Sequence, residues 1–223
     1  MITFEKFSQR LAHGQLKNTS AVDDTYKDEI DSAYLPTVLD LTNQGLVDLS
    51  TRFPLITRQV DLVFQPDQHV YKLNSANVGS FLIDTDTDPF EDNFVKILDI
   101  FDEDGCRYTH DTNGHIMTPT YDTLRFSKSI MEDLGDKVRV RYQAKHPTIG
   151  LEDNIDIPPN LVTGLQLFVA SLYISHMNGP DHTIKGDSYF AAYLRHIGED
   201  ETRNTSSTSE VNLDTRFCDR GFI

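Results

Sequence analysis

The sequence predicts an α+β fold, with a helical layer from both chain ends packed with a central antiparallel β-meander or small barrel. Apolar residues recur at helical spacing over the N-terminal part, alternate singly from about 58 to 145, and return to helical spacing from 159. Two tight-turn dipeptides, Asp104-Gly105 and Asn113-Gly114, fall inside the alternating stretch and ask for hairpins. A run of strands flanked by helices, not interleaved with them, gives the α+β class.

Phe4, Phe7 and Leu11 share one helical face, so residues 3–12 are expected to form a short amphipathic helix ending near Gly14. The polar stretch 15–28 is a loop. A second helix is expected over 30–52, on the stripe Tyr34, Leu35, Val38, Leu41, Leu46, Leu49 and Phe53. Pro36 fits a regular helix that starts there, with Asp31 or Ser32 as cap. After Pro54 the period becomes two: Val60, Leu62 and Phe64 oppose Gln59, Asp61 and Val63. Gln65-Pro66-Asp67-Gln68 is a turn, His69–Leu73 a second strand, and 74–92 a long loop. Further strands are expected at Phe94–Phe101, Cys106–His110, His115–Thr118, Leu124–Phe126 and Lys137–Lys145. Pro158-Pro159 opens an apolar helix over 159–177, which Asn178-Gly179-Pro180 closes. A last helix is expected over 187–197, capped by Asp187 and marked by Phe190, Tyr193, Leu194 and Ile197. Residues 1–197 thus form the folded domain, with Leu165, Phe168 and Leu172 in the core of its main helix. Residues 198–223, almost wholly polar from Glu199 to Glu210, are expected to be an extended C-terminal arm.

Composition narrows function. A formal charge of −15 opposes binding nucleic acid through phosphates, which needs clustered Lys and Arg. Cys106 and Cys218 are too few and too far apart for a small disulfide scaffold, so a reducing site of assembly is expected. The polar start Met1–Lys6 does not read as a signal peptide. No stretch approaches the ~20 apolar residues of a membrane span.

The chemical constellations each have a plainer explanation. Asp84, Asp86 and Asp88 alternate as calcium ligands do, but Pro89 stands where the turn needs Gly and Val95 where a bidentate Glu is needed. Asp102-Glu103-Asp104-Gly105 offers paired carboxylates but coincides with a hairpin turn. His110, His115, His176, His182 and His196 show no His-Glu-x-x-His pattern and have no Cys pair to join them. With no phosphate loop, nucleophile elbow or dinucleotide fingerprint either, no enzyme activity, resident metal or cofactor is expected.

One resemblance covers most of residues 1–197. The stretch Leu39–Phe53, with Asn43 in it, leads to Val60–Asp67 and then His69-Val70-Tyr71-Lys72-Leu73. Gly105-Cys106-Arg107-Tyr108, Val138–Tyr142 running to Pro147, Ile157-Pro158-Pro159-Asn160-Leu161 and Tyr189–Leu194 follow. In this order they resemble the head-to-tail adaptor (connector) proteins of tailed bacteriophages, tail tubular protein A-like, with Phe53 where a Trp is expected. The resemblance implies a virion component of the head–tail interface, assembled in the bacterial host cytoplasm. It would form a homo-oligomeric, dodecameric ring between the portal protein and a downstream tail or nozzle protein. DNA would pass through as a non-adhering passenger, repelled by carboxylates lining the channel. In such adaptors the C-terminal segment docks on the portal, which assigns portal docking here to Arg216, Phe217, Arg220 and Phe222. The alternatives are another neck or tail protein (tail completion or nozzle subunit), or a β-rich hydrolase or carbohydrate-binding module.

Overall fold

The computed structural model describes residues 1–22, 29–84, 90–108, 115–177 and 179–203, with 200–203 described as backbone only. In chain order the elements begin with β1 (Ile2–Thr3), α1 (Phe4–His13), α2 (Leu35–Arg52), β2 (Ile56–Val63), β3 (Val70–Lys72) and β4 (Leu82–Ile83). Then come β5 (Phe94–Phe101), β6 (Arg107–Tyr108), β7 (Ile116–Thr120), β8 (Thr123–Phe126) and α3 (Lys128–Leu134). The last are β9 (Lys137–Ala144), β10 (Asn154–Ile155), α4 (Pro159–Ser175) and α5 (Pro180–Arg203). The described chain divides into a helical unit, Met1–Leu55 with the chain from His146 onward, and a β unit, Ile56–Lys145.

In the helical unit α4 is apolar on nearly every side, because α1, α2 and α5 all pack against it. Its start follows from Pro159, whose fixed φ suits a first-turn position and whose missing N–H is not needed there. Leu161, Leu165, Val169, Ala170 and Ile174 are fully buried in a core shared with Phe7, Leu11, Leu46, Leu49 and Tyr193. Two glycines set how close the helices come. A Cβ on Gly45 of α2 would lie 2.5 Å from Leu165 Cδ1, and one on Gly186 of α5 would lie 3.0 Å from the Ser171 backbone oxygen. α1 is capped by the Thr3 hydroxyl, which accepts from Lys6 N–H at 3.2 Å. β1 pairs antiparallel with β10, fastening the N-terminus to the segment ahead of α4.

The β unit holds two antiparallel sheets, ordered β4-β2-β9-β5-β6 and β3-β8-β7. β9 is central to the first, pairing with β2 along Ile56↔Ala144 to Val63↔Lys137 and with β5 on its other side. Val60, Leu62, Val138, Val140 and Tyr142 bury one face of that sheet. In β5 the inward residues Phe94, Ile97 and Ile100 are three apart, which two register shifts against β9 accommodate. The second shift sets Asp99 opposite Arg141.

The α+β class is the observed one, with antiparallel strands between helices from both chain ends. Several expectations need correction. The strands are not a meander or a small barrel: β9, late in the chain, lies between β2 and β5, and β3 pairs with β8 in a separate sheet. The second helix starts at Leu35, not 30, because Asp31 instead closes a turn through Ala33 N–H (2.8 Å) and Tyr34 N–H (2.8 Å). The last helix starts at Pro180, not 187: the proline that ends one helix is well placed to open the next. It runs to Arg203, so residues 198–203 of the expected arm are helical, and 204–223 lie outside the described residues. The loop expected over 74–92 contains β4, whose pairing with β2 the sequence does not signal. α3 was not expected; Ser127 caps it, accepting from Ile130 N–H at 3.5 Å.

Candidate functional site

Several of the residues singled out for chemistry are held in structural roles. Asp84 accepts a hydrogen bond from Phe90 N–H at 2.9 Å. Asp86 and Asp88 lie outside the described residues, and among those described no three acidic, His or Cys side chains converge as metal ligands do. Asp102 accepts from Cys106 N–H at 2.8 Å and Gly105 takes φ +82°, so this acidic run serves the β5–β6 turn. His196 Nε2–H donates to the Asn160 carbonyl at 2.8 Å, joining α5 to the start of α4. Of the proposed main-helix core, Leu165 is fully buried, while Phe168 and Leu172 are partly buried against the same cluster. The docking residues Arg216, Phe217, Arg220 and Phe222, together with His110, lie outside the described residues.

Polar groups distant in sequence do converge in each unit. Asn43, midway along α2, grips both backbone groups of Ile149: its amide donates to the carbonyl at 3.1 Å and its oxygen accepts from the N–H at 2.9 Å. Asp48 of α2 accepts from the Tyr193 hydroxyl of α5 and from Arg52 Nε (2.9 Å). Burial first, then the Asp48 hydrogen bond and charge, push the Tyr193 hydroxyl well above the ordinary phenol value. In the β unit the Asp99 carboxylate, 2% exposed, is shared by Arg141 and Arg107. Arg139 forks onto Asp61 with distances of 2.8 and 3.4 Å. Burial alone would push the Asp122 carboxyl up. Hydrogen bonds from the Thr120 and Thr123 hydroxyls (2.8 and 3.1 Å) and the charge of Lys72 outweigh it and hold the group below its ordinary value. Tyr71 closes the Pro66-Asp67 turn: its hydroxyl donates to the Gln68 carbonyl at 2.8 Å and accepts from Gln65 N–H at 3.0 Å.

Two surface clefts have contrasting chemistry. One, of about 290 Å³ in the β unit, is lined by His69, His115, Met117, Arg125 and Lys128, with Ser127 hydrogen-bonded to His115 Nδ1 at 3.1 Å. Its lining holds no acidic side chain among the described residues. The other, of about 200 Å³ in the helical unit, has Glu5 and Glu29 on its rim and Phe4, Ile30, Leu35 and Leu151 as apolar lining, with no described Lys or Arg. Sequence reasoning missed both, since their residues come from segments far apart. A faint signal existed in Arg125, flanked by the inward residues Leu124 and Phe126 and so turned outward.

Against known proteins, no family model matches this chain and no curated protein sequence matches it. Among the described residues no helix is long and apolar enough to cross a membrane.

Proposed function

We propose that the chain is a structural head-to-tail adaptor of a tailed-bacteriophage virion, one subunit of a ring between portal and tail through which DNA passes. The observation that carries this reading is what the residues of the resemblance do. Asn43 joins the second helix to the segment before Ile157-Pro158-Pro159, 106 positions away from it at Ile149. Tyr71 closes the Pro66-Asp67 turn of the other quoted stretch. A pattern kept for catalysis would converge on a pocket; these residues hold loops in place, as a scaffold that must mate with neighbours requires. The helical layer would pack round the ring with the sheets toward the next tail component. Arg216, Phe217, Arg220 and Phe222 would dock the C-terminal segment on the portal, and the channel would be acidic toward its DNA passenger.

The test is reconstitution with portal-bearing, DNA-filled heads. Full-length protein should co-sediment with the heads and appear as a ring of copies at the portal vertex in electron micrographs. A chain lacking residues 204–223 should stay folded and lose attachment. A monomer that ignores heads and instead binds an oligosaccharide in a calcium-dependent way would overturn the reading.

A further inference from the structure

The two clefts are complementary, and they lie on different parts of the chain. On the outward face of the three-stranded sheet, Val70, Arg125 and Met117 stand in one row, because Arg125 is paired in register with Val70 on one side and Met117 on the other. Val70 is 50% and Met117 39% exposed, a large fraction for apolar side chains on a sheet. Lys128, His69 and His115 extend this face on the basic side. Neither Arg125 nor Lys128 has an ion-pair partner among the described residues. The cleft of the helical unit mirrors this: Leu151, 49% exposed, stands beside the carboxylates of Glu5 and Glu29. Each patch pairs apolar surface with one sign of charge, and the signs are opposite.

Two copies that each carry −15 repel at long range. Charges are screened beyond about 8 Å at physiological ionic strength, so local complementarity decides whether surfaces in contact hold together. The exposed Val70 and Met117 beside Arg125 favour a protein surface over nucleic-acid phosphates, which would have no use for them. We infer that the occupant is a second copy of this chain: the Val70–Arg125–Met117 face, with Lys128, of one copy seats on the Glu5–Glu29–Leu151 cleft of the next. Since the two patches differ, the contact is head-to-tail, and repetition of it closes a ring where the rotation per step allows. The inference rests on the ring reading above and gives it a specific contact.

A charge swap tests it on the full-length chain. R125E/K128E and E5K/E29K, each alone, should weaken self-association by about tenfold or more, read by sedimentation velocity, with circular dichroism unchanged. Mixed one to one they should assemble again, because each mutated patch then meets an oppositely charged one. If either double variant unfolds, the neutral R125Q/K128Q and E5Q/E29Q should show the same loss without the rescue. Variants that assemble like the wild type, or a mixture that fails to recover, would overturn the contact and leave the ring reading standing. A wild type that never associates, alone or on heads, would remove the ring reading itself. Loss of duplex-DNA binding in R125E/K128E with assembly intact would show a nucleic-acid face and overturn the inference.

Discussion

The helical unit and the β unit differ in where most of their polar side chains find partners, although Asn43–Ile149 and Tyr193–Asp48 reach across the first and Thr120 and Thr123 bond locally in the second. In the helical unit the buried or half-buried hydroxyls mostly bond within their own helix: Thr42 donates to the Val38 carbonyl and Ser171 to the Phe168 carbonyl, both at 2.7 Å. In the β unit the partners come from distant strands. Arg139 and Asp61 are 78 positions apart, and Arg141 and Asp99 are 42 apart. A helix offers each hydroxyl a carbonyl three or four residues back, whereas a strand's neighbours belong to another part of the sequence. Stability in the first unit should therefore follow apolar packing, and in the second it should depend on a few long-range ion pairs.

That contrast can be broken by mutation, and the largest effect should come from the helical core. Leu165→Ala removes a fully buried side chain and should cost about 2 to 5 kcal/mol in urea denaturation. Phe168→Ala should cost less, because the ring is only partly buried against Tyr193. Equal losses would show that packing around α4 yields at one site as readily as at the other. In the β unit, Asp99→Ala leaves Arg141 and Arg107 without their shared carboxylate, and a loss of about 2 to 4 kcal/mol is expected from the same measurement. Asp61→Ala breaks a fork that is much more exposed, and should cost under about 1 kcal/mol. If the two aspartates cost the same, burial is not what gives the Asp99 network its weight.

In the helical unit Gly186→Ala should cost about 1 to 3 kcal/mol, more than Asp61→Ala, since the new methyl would press on the Ser175 hydroxyl and on the Ser171 and Ser175 backbone. A neutral outcome would mean that α5 can draw back from α4. A similarly small effect is expected from Tyr193→Phe, about 1 kcal/mol near neutral pH, through loss of the hydrogen bond to Asp48. Its signature is in pH. The phenol's folded pKa is raised above the ordinary 10.0, so its contribution is whole below that pH and declines as pH rises toward the folded value. Thermal melts should show the wild type losing stability above pH 10.0 relative to Tyr193→Phe, and parallel curves would refute the coupling.

How much was legible follows the same division. The apolar stripes of α1, α2 and α4 could be read because helix contacts repeat at a fixed short spacing. That α4 ends ahead of Gly179-Pro180 could be read too, but not that the same proline starts α5. Polar composition after Gly198 suggested an arm, yet the helix continues to Arg203; Glu199, Glu201 and Arg203 are polar but good helix formers, so polarity alone did not mark its end. In β5 the inward residues Phe94, Ile97 and Ile100 fit no period of two, because the register shifts that reconcile them exist only against β9.

The basic cleft shows the limit most clearly. His69, His115 and Arg125 belong to stretches whose strand character the sequence signalled and Lys128 to a helix it did not, and nothing in it said that β3 and β7 would flank β8. What the sequence determined by itself was local: the α+β class, the helical faces, the turns and the strongly acidic balance, all set by spacing, backbone preference and charge count. What only the tertiary structure decided was pairing: which strands lie side by side, which arginines share Asp99, and which surfaces combine apolar area with one sign of charge. Strand partners are chosen by the burial of whole faces summed over the fold, and that sum has no trace at any single position.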